Sequence, residues 1–215
     1  SHGTWTVCGS GADIWSGADE FRYVYRPIRG DGEIVAQVWS MTGPHVWAKA
    51  GVMLRESLAA GSPHGMAVIS AGRGASFQWR PAAGADMLGS TQAGPATPCW
   101  MKLVRQGDEL RGYRSADGSA WTLVGSATVP MSEEALVGLC VTAHNDAAFC
   151  DAIFTDVTTT WQAPPGDLDG DGHVDLSDLA QLAGQWLAAR CGALAPCDAA
   201  DLTRDGRVNL ADWAR

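Results

Sequence analysis

The sequence predicts a mainly β chain: a two-sheet sandwich over residues 1–160, a short proline-rich connection over 161–166 and a small helical module over 167–215. Three observations predict it. Up to Thr160, strand-length segments are separated by Gly, Pro, Asn and Asp, and none keeps helical periodicity for three turns. Trp161-Gln-Ala-Pro-Pro-Gly166 then breaks the pattern, because consecutive prolines cannot donate to a ladder and favour a stiff, extended backbone. Beyond it the apolar period changes, with Leu179, Leu182, Ala183, Trp186 and Leu187 at helical spacing.

The expected strands are Glu20–Ile28, Glu33–Met41, Ala48–Ser57, Gly65–Ala71, Ala75–Arg80, Cys99–Gln106, Glu109–Ser115, Trp121–Val124, Ala135–Ala143 and Ala147–Val157. Ten strands joined mainly by hairpins exceed one open sheet, which favours two packed sheets. Gln106-Gly107-Asp108, Ala116-Asp117-Gly118 and His144-Asn145-Asp146 supply turn residues that tolerate positive φ. The 26 glycines, and ten tryptophans against four phenylalanines, fit a turn-rich β architecture.

A net charge of −9 argues against a nucleic-acid partner, which needs clustered Lys and Arg. No apolar run reaches the roughly 18 residues of a membrane span. Six cysteines make an even set, and Cys191 and Cys197 share a short loop of small residues and proline, which predicts a disulfide and an oxidising, secreted setting. Cys140 and Cys150 flank the His144–Asp146 turn and are either bridged across a hairpin or buried thiols; Cys8 and Cys99 are open to the same two readings.

Asp167-Leu-Asp-Gly-Asp-Gly-His-Val-Asp-Leu-Ser-Asp178 carries the clearest chemistry. Ca²⁺ takes six to eight oxygens, and carboxylates at positions 1, 3, 5, 9 and 12 with glycine at 6 wrap such a cation. The ligands would be Asp167, Asp169, Asp171, the His173 carbonyl, Asp175 through a water, and Asp178. The pattern recurs with Asp201, Thr203, Asp205, the Arg207 carbonyl, Asn209 and Asp212, where fewer charged ligands predict weaker binding. Without the cation the carboxylates repel one another, so binding and folding are linked.

Two such loops with Asp at position 12, each leading toward a helix, resemble a dockerin of type I. The resemblance implies a protein partner, cohesin-like, read in part by loop positions 10 and 11, here Leu176, Ser177, Leu210 and Ala211. The loops lie further apart than is usual in that family because the Cys191–Cys197 segment intervenes. The sequence ends three residues past the second loop, so its second helix is expected to be incomplete.

Trp47-Ala-Lys-Ala-Gly-Val-Met-Leu-Arg-Glu56, Phe77-Gln-Trp-Arg80, Trp100-Met-Lys-Leu-Val-Arg105 and Val137-Gly-Leu-Cys-Val-Thr-Ala-His144 resemble the concanavalin-A-like, laminin-G-like jelly-roll modules of large secreted bacterial proteins. That resemblance implies a glycan-binding sheet. Strand parity sets Val52, Leu54, Phe77 and Trp79 on one face and Arg55, Gln78 and Arg80 on the other, joined by Thr142 and His144. Arg55, Gln78, Arg80 and His144 are therefore the expected polysaccharide contacts on an open face, and Trp39, Trp47 and Trp100 are read as packing that could also stack on sugar rings.

The rival classes are a glycoside hydrolase fragment and an adhesive module that assembles with other chains or itself. The first needs paired carboxylates, and the Glu-x-Asp-x-x-Glu string of the fold's laminarinases is missing. Glu56 is expected to pair with an Arg.

Overall fold

Alternation along the strands decides which side chains meet between the two sheets. The computed structural model describes residues 3–92, 94, 97–161, 166–168, 174, 176–184 and 207–208. One sheet has the order β1 (Trp5–Gly9), β14 (Cys150–Thr159), β5 (Gly32–Met41), β10 (Cys99–Gln106), β11 (Glu109–Ser115), β12 (Thr122–Thr128). The other runs β4 (Arg22–Arg29), β13 (Glu134–Thr142), β6 (Lys49–Arg55), β7 (His64–Ser70), β8 (Gly74–Arg80), β9 (Leu88–Gln92). All neighbouring strands are antiparallel. A two-stranded hairpin, β2 (Ile14–Trp15) with β3 (Ala18–Asp19), stands apart from both.

The fold is the expected two-sheet jelly-roll sandwich. Ala36 and Val38 of β5, Met101 of β10, Val52 of β6, Phe77 of β8 and Leu139 of β13 are buried together between the sheets. The parity read for β6, β8 and β13 holds. A second, smaller core lies on the opposite face of the second sheet, where Met53, Met66, Val68 and Cys140 meet Ile14 of the hairpin, with Phe21 and Tyr23 against them. Tyr23 Oη donates to the Leu136 carbonyl at 2.8 Å, and burial pushes the phenol well above its usual pKa.

Strands β1, β2, β3 and β9 were not foreseen. The two-residue strands of the hairpin are too short to show alternation. Cys140 and Cys150 do not face each other across a hairpin: β13 and β14 belong to different sheets, so the His144 turn is a crossover. Cys8, Cys99, Cys140 and Cys150 are free cysteines, three of them buried and Cys8 exposed. Burial pushes the Cys140 and Cys150 thiols up to about 12.

The chain divides into two units, Ser1–Trp161 and Gln162–Arg215. Trp161, assigned by sequence to the connection, belongs to the sandwich: its indole packs over Gly32, where a Cβ would meet the ring at 2.7 Å, and its Nε1 donates to the Gly30 carbonyl at 3.0 Å. In the second unit α1 spans Leu176–Gly184. Leu182 is buried one turn after Asp178, whereas Leu179 and Ala183 are exposed; Trp186 and Leu187 lie outside the described residues. Among the described residues no helix is long and apolar enough to cross a membrane.

Candidate functional site

Three cations, Lys49, Arg55 and Arg80, project from the face of the second sheet that turns away from the main core. Charges in such a place need counter-charges, and the hairpin delivers them. Asp19 at the end of β3 is fully buried between the two arginines. Arg80 Nη1 and Nη2 donate to its two oxygens at 2.6 Å each, a bidentate fork, and Arg55 Nη1 reaches Oδ2 at 3.3 Å.

Two guanidinium groups share one carboxylate, so backbone carbonyls take up the remaining donors. Arg80 also bonds Ser16 O (2.8 Å) and Ala85 O (3.0 Å); Arg55 bonds Ser57 O (2.7 Å) and Ala59 O (2.5 Å). His64 Nδ1 sits 3.6 Å from Asp19 Oδ2. Burial, which outweighs the attraction of Asp19, brings its pKa down to about 4.

The second anchor comes from the other arm of the hairpin, just ahead of β2. The Lys49 ammonium donates to Asp13 Oδ1 at 2.6 Å and to the Ile14 carbonyl at 3.2 Å, and lies 5.6 Å from the Trp15 ring centroid. His144, at φ 55°, holds its Nδ1 3.0 Å from Asp13 Oδ2 and stacks on His45 with centroids 4.3 Å apart. Thr142 Oγ1 lies 3.2 Å from both the Gly11 and the Glu20 carbonyls and ties the hairpin's flanks to β13.

Beside the clamped hairpin opens a cleft of about 340 Å³. Trp15, Asp13, Trp47 and His144 form its walls, and Lys49, Gln78, Gly89 and Thr91 its floor. Gln78 is 4% exposed and its Oε1 has no hydrogen-bond partner among the described residues. Gly89 makes room for it, since a Cβ there would approach Gln78 Cγ to 3.0 Å. Ser76 Oγ and Thr91 Oγ1 share a hydrogen bond of 2.9 Å on the same floor.

The expected contacts Arg55, Gln78 and Arg80 do share one face, but that face is not open at the arginines. Arg55 and Arg80 are 1% and 0% exposed, sealed by the hairpin, and serve as its anchors. Gln78 and His144 line the cleft, as does Trp47, which carries Arg73 over its ring at 4.8 Å. Trp39 is exposed, and Trp100 packs over the Gly118 turn. Among the described residues no Arg pairs with Glu56, contrary to expectation; its Oε1 accepts from Ser132 N at 3.0 Å. Sequence reasoning missed Asp13, Trp15, Asp19 and Lys49. The signal was available as three cations on one sheet face, two from β6 and one from β8, which demand acidic partners from elsewhere.

In the second unit, Asp167 and Asp178, the first and last positions of the predicted calcium loop, are buried. Asp178 Oδ1 accepts from Leu168 N at 2.6 Å, so the loop's last carboxylate folds back beside its first. That arrangement fits a cation held between the loop ends. Asp169, Asp171, His173 and Asp175 lie outside the described residues, as do Asp201, Thr203, Asp205, Asn209 and Asp212, the docking positions Leu210 and Ala211, and Cys191 and Cys197. Among the described residues no cluster of three His, Cys, Asp or Glu side chains is placed to hold a metal. Arg207 is exposed and Val208 buried; Leu176 and Ser177 are exposed at the start of α1.

Residues 165–215 match the family model of the Dockerin type I domain, which takes in both loops, so the C-terminal unit is a dockerin-type module. No curated protein sequence matches the chain. Among solved structures, a functionally unknown protein from Saccharomyces cerevisiae is similar with a TM-score of 0.61 at 20% identity, over 75% of this chain and 90% of that one. A mutant GH43 protein from Bacillus licheniformis (TM-score 0.48, 13% identity) is covered over 32% of its length by 69% of this chain. A legume lectin-like domain from Entamoeba histolytica (TM-score 0.46, 8% identity) is covered over 76% of its length by 66% of this chain. At 20% identity the likeness to the Saccharomyces cerevisiae protein is one of fold alone.

Two outcomes follow for the buried cluster. Asp19→Ala leaves two buried guanidinium groups without their carboxylate and should lower unfolding stability by about 3–5 kcal/mol in urea melts; a loss below about 1 kcal/mol would contradict the anchoring role. Because the folded-state pKa of His64 lies below its ordinary 6.5, the unfolded chain binds this proton first as pH falls. Stability should therefore drop by about 1.4 kcal/mol per pH unit between roughly pH 6.5 and 4 from this group. His64→Gln should flatten that part of the profile, and an unchanged slope would count against it.

Proposed function

We propose that the chain is part of a secreted, modular, non-catalytic protein whose sandwich binds carbohydrate and whose C-terminal module docks, with calcium, onto a cohesin-like protein partner. The observation that carries this reading is the union of a dockerin-type module with a sandwich bearing a tryptophan-walled cleft. Indole faces suit the C–H faces of sugar rings, and the amide and hydroxyl groups of the floor suit their hydroxyls. The cleft volume sits at the lower end of the range for small-molecule sites, a size for a short stretch of glycan.

Binding without cleavage is the preferred reading because Asp13 is the one carboxylate among the described residues that line the cleft, and Lys49 holds it. Hydrolysis by the two-carboxylate route needs a second, placed across the scissile bond. In the C-terminal module Asp167, Asp169, Asp171, Asp175, Asp178 and the His173 carbonyl would hold the first Ca²⁺. The ion supplies the positive charge that lets these carboxylates converge. Thr203 and Asn209 reduce the charge of the second set, which would fill at higher calcium. Leu176 and Ser177, exposed on α1, together with Leu210 and Ala211, would meet the protein partner.

One experiment tests both halves. The full chain should be retained on insoluble polysaccharide with or without calcium, and calcium should protect residues 165–215 from protease. Asp171→Ala should abolish that protection while leaving retention unchanged. Protection that survives Asp171→Ala would contradict the calcium loop. Absence of retention on every polysaccharide, with calcium-dependent self-association, would favour an adhesive module, and release of soluble sugars would favour an enzyme.

A further inference from the structure

Resting on the carbohydrate reading, we infer that the hairpin-walled cleft takes an uncharged pyranose unit, with Gln78 reading one of its hydroxyl groups. Gln78 Oε1 is an acceptor buried at the floor with no donor to it among the described residues. A buried acceptor left unpaired is costly, so an occupant that brings an O–H to this point is favoured over one that does not. The strand ladder fixes where the group stands: Gln78 pairs in register with Gly89 of β9 on one side and Met66 of β7 on the other, and the absent side chain at Gly89 leaves the Gln78 side chain the room it occupies.

The charges of the cleft are already spent on one another. Lys49 gives two of its donors to Asp13 and to the Ile14 carbonyl, and Asp13 turns its second oxygen to His144. A uronate or sulfate entering here would meet the carboxylate of Asp13 and find Lys49 engaged. A cationic ligand would have to displace Lys49 from a 2.6 Å contact. A neutral polyol meets neither obstacle. Trp15, 42% exposed on a hairpin anchored through both arms, and Trp47, ahead of β6, supply the apolar surfaces that a sugar ring covers.

The arrangement makes the hairpin a specificity element: Asp13 and Asp19 are positioning residues that act through Trp15. The test uses tryptophan fluorescence and calorimetry on the full chain in calcium. The probes are cello-, xylo- and manno-oligosaccharides, with oligogalacturonate and oligomannuronate in parallel. At least one neutral series should bind and shift the emission, while the uronates bind at least tenfold more weakly. Gln78→Met, which keeps length and loses the acceptor, should weaken the neutral ligand about tenfold, equivalent to about 1.4 kcal/mol. Trp15→Ala should weaken it at least as much without lowering the melting temperature, and it remains informative if Gln78→Met fails to fold. Neutral-sugar binding untouched by Trp15→Ala would overturn this site while leaving the carbohydrate reading intact. Binding confined to uronates would overturn the inference while leaving the carbohydrate reading intact. Silence toward both classes would remove the inference together with the reading beneath it.

Discussion

The carboxylate of Asp19, sealed between Arg55 and Arg80, is the contact on which the outer face of the second sheet depends. It brings a two-stranded hairpin of minimal length onto a sheet with which that hairpin shares no ladder. Such a short element cannot hold itself, since it has almost no cross-strand pairs and little apolar area of its own. Side-chain chemistry replaces backbone pairing. A bidentate fork on one arm and a Lys49–Asp13 pair on the other fix its position, and Ile14 adds a wedge of apolar surface over Met53 and Met66. Buried ion pairs of this kind are a weak source of net stability, because desolvation offsets much of the attraction. Their effect here is directional: they allow one placement of the hairpin and penalise others.

That placement converts a sheet face into a cleft. The face would otherwise present three cations and an amide to water. With the hairpin seated, the arginines disappear, Lys49 is neutralised, and what stays accessible is a wall of indole and imidazole above Gln78 and Thr91. On the same face as the satisfied Arg55 and Arg80, the Gln78 acceptor has no donor among the described residues. An unpaired buried group beside well-paired ones is the pattern of a surface prepared for an occupant.

The large-scale organisation was legible in the sequence because it rests on periodicity. Alternation in β6, β8 and β13 identified the inter-sheet face correctly, and the double proline marked the change from strand to helical period. What was not legible depended on partners distant in sequence. Arg55 and Arg80 read as sugar contacts because nothing in their own strands reveals a carboxylate some 36 and 61 residues away. Cys140 and Cys150 looked symmetrical about a turn, yet that turn crosses between sheets. Trp161 read as part of a connection because it stands next to the proline-rich stretch, although its indole belongs over Gly32. The calcium loop, by contrast, is a local pattern of twelve residues, and the match over residues 165–215 identifies its family without reference to the sandwich.

The cleft depends most directly on the seating of residues 11–21. Hydrogen–deuterium exchange of the full chain, compared with Asp19→Asn, measures it. The amides of the hairpin should be as slow as those of neighbouring β6 in the parent chain and should speed up by orders of magnitude in the variant, while β10 and β11 stay unchanged. A hairpin that already exchanges freely in the parent chain would contradict the claim that a buried carboxylate builds this cleft.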